Sequence, residues 1–142
     1  MGVNTAHVKW WMSEHESFEV GPEVSAGFAA HLQTLPWTPH RVDWEQVPHV
    51  ELSTKVDWEE QVGAIARRSP FGRFSHVLLM YSGTEPALVG RRDDVLRDVD
   101  LLCAASPGPR YFCGAVIREG ALRAQFPAFG EFDGFSKVLF RT

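Results

Sequence analysis

The densest run of apolar residues in the chain is Phe74–Tyr81 (FSHVLLMY). It is too short to span a membrane, which takes about 18 apolar residues, and it reads as a strand buried on both faces in the middle of a sheet. Upstream, Val24, Phe28, Leu32 and Leu35 recur at the three- and four-residue spacing of an amphipathic helix. Gly21-Pro22-Glu23 offers a start, with Pro at the first helical position and an acid where the helix dipole favours it, so the pattern predicts a helix over 22–35. Pro36, Pro39 and Pro48 then restrict residues 36–54 to short elements, with a strand at His49–Thr54, where Val50 and Leu52 alternate with polar residues.

Asp57-Trp58-Glu59-Glu60 has the form of a capping box, and Trp58, Val62 and Ile65 give the apolar stripe of a helix running to about Arg68, before Pro70. Pro86–Gly90 is expected to pair with the central strand across Ser82–Glu85. Val95, Val99 and Leu102 predict a helix over Asp93–Ala105, closed by the loop Ser106–Pro109. Arg110–Arg118 and Ala121–Phe126, joined through Glu119-Gly120, and Phe135–Arg141 read as three consecutive strands. The fold expected is α+β, a mostly antiparallel sheet of about five strands with about three helices packed mainly on one face.

At 142 residues and 44% hydrophobic, the chain is expected to be a single globular domain over 1–142, with 1–12 as a candidate flexible extension. Its first residues, MGVNTAHVKWWM, lack the apolar core of a secretory signal, Ala6 stands where myristoylation needs Ser or Thr, and Met12-Ser13-Glu14 reads as a second start. A cytoplasmic protein is the expectation. Cys103 and Cys113 show no CxxC spacing and are expected to be free thiols.

Charge is divided along the chain. Residues 1–66 carry ten acids and three bases, residues 67–142 eight acids and eleven bases, and the whole has a formal charge of −4. All five tryptophans fall in the first 58 residues, and VDWEQV at Val42–Val47 nearly repeats as VDWEEQV at Val56–Val62. Carboxylates steer a basic partner and aromatic rings supply contact area, so Asp43, Trp44, Glu45, Asp57, Glu59 and Glu60 form the candidate partner-binding set. Trp44, set among prolines, is the expected exposed anchor; Trp58 belongs to a helical stripe.

Other constellations are weaker. Arg67, Arg68 and Arg73, interleaved with Phe71 and Phe74, suit an anion, although the acidic balance argues against nucleic acid. His76, Tyr81 and Asp100, with Arg73, are the polar groups that would line a pocket if the chain were an enzyme. His31, His40 and His49 recur every nine residues without a zinc-type spacing, and no nucleophile elbow or phosphate-binding glycine loop occurs. No metal and no cofactor is expected. The leading expectation is a small acidic binding protein, in the style of an immunity, antitoxin or inhibitor protein that neutralises a basic partner protein. The alternative is a small α+β enzyme or ligand-binding domain with an apolar pocket between sheet and helices. Homodimerisation through the acidic and basic halves is the third.

Overall fold

The apolar run around residue 78 becomes strand β3 (His76–Met80), third in a sheet of seven strands, in a computed structural model that describes residues 2–104 and 108–142. The others are β1 (Ser17–Val20), β2 (His49–Ser53), β4 (Ala87–Arg91), β5 (Arg110–Arg118), β6 (Ala121–Phe132) and β7 (Lys137–Arg141). They lie in the order β1-β4-β3-β5-β6-β7-β2, and every neighbouring pair is antiparallel. The sheet has seven strands where about five are expected, and β1 is the one that none of the expected segments covers.

Alternation along β3 divides the core in two. Val77 and Leu79 face one side with Phe112, Phe132 and Phe140, while Leu78 and Met80 face the other with Cys113, Phe129 and Leu139. The first side is covered by α1 (Ala6–Glu14), α3 (Trp58–Arg68), α4 (Arg92–Arg97) and α5 (Val99–Leu102), through Trp11, Val62, Leu96 and Leu102 among others. The second is covered by α2 (Pro22–Leu32), through Phe28 and Leu32, and by the proline-rich segment, through Val42, Trp44 and Val47. Four of the five α-helices among the described residues thus share a face.

Several sequence expectations need correction. Residues 2–12 are no flexible extension: Val3, Val8 and Trp11 are buried, and the Trp11 indole donates to Asp98 Oδ2 at 2.8 Å. The helix expected over 93–105 divides at Asp98, whose backbone leaves helical geometry (φ −106°, ψ 20°); its expected end at Ala105 and the residues 106–107 of the following loop lie outside the described residues. Asp57 precedes α3 in the left-handed conformation (φ 47°) and its side chain makes no capping bond. β6 continues past Phe126 through Pro127. Cys113 faces Phe129 while Gly114 faces Gln125, so Pro127 sits in a bulge, where a missing N–H breaks no ladder bond. Cys103 and Cys113 are free and buried on opposite faces of the sheet.

Candidate functional site

β2 ends the sheet on one side, and among the described residues β7 is its only strand neighbour. The two Asp-Trp-Glu units flank it. Asp43 to Glu45 lead into it across Pro48, Asp57 to Glu60 follow it, and five strand residues at about 3.4 Å each separate them by roughly 17 Å. The units also serve opposite faces. Trp44, in a short 3-10 turn over Trp44–Gln46, packs on Phe129 (5.2 Å between centroids) and His49 (5.3 Å), whereas Trp58 packs on the other face and donates its indole N–H to Leu96 O at 2.9 Å.

Trp44 is only 5% exposed, so the ring expected at the surface lies in the core. The acids behave differently. Glu45, Asp57, Glu59 and Glu60 are exposed, and Asp43 is half-buried and accepts from Gln46 Nε2 at 2.6 Å. The −7 half of the sequence is not one surface, however. Glu16 and Glu19 lie at or in β1, at the other edge, six strand spacings or roughly 29 Å from β2.

The exposed aromatic group near β2 is one that sequence reasoning missed. Phe135, on the turn between β6 and β7, is 73% exposed, with the Lys55 ammonium 4.7 Å from its ring centroid. Val56, also exposed, follows Lys55. Asp133 fixes this turn by accepting from the backbone N–H groups of Phe135, Ser136 and Lys137 at 2.8 to 3.0 Å. Partial burial works against its charge, but these donors prevail and hold its carboxyl below the usual range. The Asp-Gly pair at 133–134 is the sequence signal for such a turn, with Gly134 at φ 85°.

Beside the Asp43 unit a cleft of about 450 Å³ opens between the proline-rich segment and β2, lined by Arg41, Asp43, Trp44, Glu45, His49 and Glu51 among others. Behind it lies Glu131, fully buried and ion-paired with the Arg41 guanidinium. Burial pushes the Glu131 carboxyl above its ordinary range, opposed by Tyr111, whose hydroxyl accepts from Val42 N–H at 3.0 Å, by Arg41 and by Trp44. This cluster holds the proline-rich segment on the sheet. Glu51, on β2, pairs with Lys137 at 3.1 Å, and both are exposed.

The groups considered for catalysis are not brought together. His76 and Tyr81 stand at opposite ends of β3, roughly 17 Å apart. Tyr81 donates to Leu102 O at 3.0 Å, and Asp100 is exposed on α5. His76 instead meets Ser75 Oγ (2.6 Å to Nδ1) and Glu16 Oε2 (3.3 Å to Nε2). Of the anion-binding candidates, Arg73 is exposed beside a cleft of about 270 Å³ shared with Phe74, Pro127 and Arg141, while the Arg67 and Arg68 side chains lie outside the described residues. An apolar cleft between α2 and the sheet, lined by Leu32, Trp37, Met80, Tyr81 and Tyr111, holds about 190 Å³, below the 300 Å³ or so of a typical small-molecule site.

Among the described residues no three His, Cys, Asp or Glu converge as metal ligands, and no described helix is long and apolar enough to cross a membrane. No family model matches the chain, and neither a curated protein nor a solved structure matches it.

Proposed function

We propose that this is a small protein-binding domain that neutralises a basic partner protein through the acidic border of β2, in the manner of an immunity, antitoxin or inhibitor protein. The observation that carries the reading is the arrangement of exposed acids around an edge strand with an exposed aromatic ring close by. Glu45 stands at one end of that border, Glu51 at its middle and Asp57, Glu59 and Glu60 at the other end, and Phe135 projects beside Lys55 on the connecting turn. Carboxylates in this position raise the rate of encounter with a cationic surface, and Phe135 supplies contact area that is already held in place by Asp133. The buried Trp44 acts by fixing the segment that carries Asp43 and Glu45 rather than by touching the partner.

The test is affinity capture from the cell of origin with the wild-type chain and with a variant carrying Glu45→Gln, Glu51→Gln, Glu59→Gln and Glu60→Gln. A single basic protein, held by the wild type, released by moderate salt and lost by the variant, is the expected result. Equal capture by the variant, or release insensitive to salt, refutes the assignment.

A further inference from the structure

The geometry points to a mode of binding at this border: β2 accepts an extended segment of the partner as an eighth strand, and that segment alternates cationic and apolar side chains. This rests on the protein-binding reading above and specifies what is bound.

The backbone of β2 shows which groups are available. Thr142 N–H donates to Pro48 O at 3.1 Å and Thr54 N–H to Ser136 O at 2.7 Å. In an antiparallel ladder, hydrogen-bonded residues alternate with residues whose amides point away from the partner strand. With His49 opposite Arg141 and Ser53 opposite Lys137, residues 48, 50, 52 and 54 turn to β7. The N–H and C=O groups of His49, Glu51 and Ser53 therefore point outward, where no described strand meets them. Such a row is a template for strand addition.

The side chains on the two faces of β2 set the pattern of the incoming strand. His49 and Glu51 line the cleft that also holds Asp43 and Glu45, so residues placed on that face meet three carboxylates. Arg41 is the cation of that cleft and is held by Glu131, and Lys137 is shared with Glu51. Val50 and Leu52 face the opposite side, where Leu52 packs on the core, so residues placed there are apolar. Lysine or arginine alternating with valine or isoleucine satisfies both faces. A second copy of this chain fits poorly as the occupant, because β2 paired with itself brings Glu51 and the neighbouring acids of one copy against those of the other.

The test uses a short capped peptide of strictly alternating lysine and valine, with a peptide of the same composition but with its lysines in one block as control. Amide hydrogen exchange is followed by NMR. Binding is expected to slow exchange at His49, Glu51 and Ser53 at least ~10-fold while Val50 and Leu52, already bonded to β7, change little. Glu51→Pro deletes one outward N–H without removing a bond to β7, and Glu51→Gln removes the same charge but keeps the N–H. The proline variant should bind the alternating peptide ~5–10-fold more weakly than the glutamine variant, the worth of about one hydrogen bond. Three results overturn the inference: no binding of the alternating peptide, binding that leaves the outward amides unprotected, or protection that develops with protein concentration and no peptide, which would make a second copy the occupant. Salt-sensitive capture of a basic protein that leaves these amides unprotected would refute strand addition alone and leave the proposed function standing.

Discussion

Trp44→Ala separates a core role from a contact role at this position. An indole buries roughly 150–250 Å² on folding, and at about 25 cal/mol/Å² the 5% exposure of Trp44 places nearly all of that area in the transfer term, roughly 4–6 kcal/mol. Truncation of large buried aromatics costs about 3–5 kcal/mol, because the site collapses in part and the unfolded chain already hides some surface. Here collapse is restricted, since Phe129 lies in a strand and the Trp44 turn is held by Val47 N–H to Trp44 O at 3.1 Å. The expected loss is therefore about 4 kcal/mol, or roughly 10–15 °C in melting temperature for a chain of this size. Urea denaturation and a thermal scan by circular dichroism measure it, with Phe135→Ala as the comparison, expected within about 0.5 kcal/mol of wild type because that ring is exposed. A loss below about 1 kcal/mol at Trp44, matching Phe135, would refute its placement in the core and return it to the contact surface.

Arg41→Ala leaves the Glu131 carboxylate buried without its cation and should cost about 3 kcal/mol near neutral pH. Burial already raises the Glu131 pKa in the fold, and loss of Arg41 raises it further. A raised folded pKa means that protonation favours the fold, so the variant's deficit should be smallest at or below about pH 4.3 and grow as pH rises toward 7; urea titrations at acid and neutral pH check the sign. Asp133→Asn should weaken the Phe135 turn, and because the folded pKa of Asp133 is lowered, the stability lost is that present at neutral pH and absent in strong acid. Gly130→Ala should cost about 1–3 kcal/mol by chemical denaturation, because a Cβ there would lie 2.6 Å from Leu139 O and 2.5 Å from the Phe112 ring. Cys103 and Cys113 should resist a thiol reagent in the native state and both react after denaturation, since both are buried and burial raises each thiol's pKa, that of Cys103 to about 12.

What the sequence revealed depended on how local the signal was. β5 is observed over Arg110–Arg118, the range expected for it ahead of the Glu119-Gly120 turn, and α2 and α3 begin where Pro22 and the 57–60 acids indicate. β1 escaped because four residues of SFEV carry too little pattern, and α1 because it buries only Val8 and Trp11, a single i,i+3 pair too short to read as a stripe. Pro127 reads as a stop, yet the bulge opposite Gly114 lets the strand pass through it. The fate of Trp44 was not local at all. Its neighbours are acids and prolines, but Phe129, 85 positions away, takes the ring inward. Glu131 shows the same effect: only the fold brings Arg41 to it. Of the candidate site, the exposed acids beside β2 could be read from composition; Phe135, the outward amides and the separation of His76 from Tyr81 could not, since each follows from strand register and turn geometry.

NMR shift mapping with the captured basic partner shows directly whether the acidic border of β2 is the binding surface. Shifts confined to residues 43–60 and 133–137, with the α2 cleft and Arg73 unmoved, are predicted. Shifts centred on Trp37 and Tyr81, or on Arg73 and Arg141, with residues 43–60 silent, would contradict it.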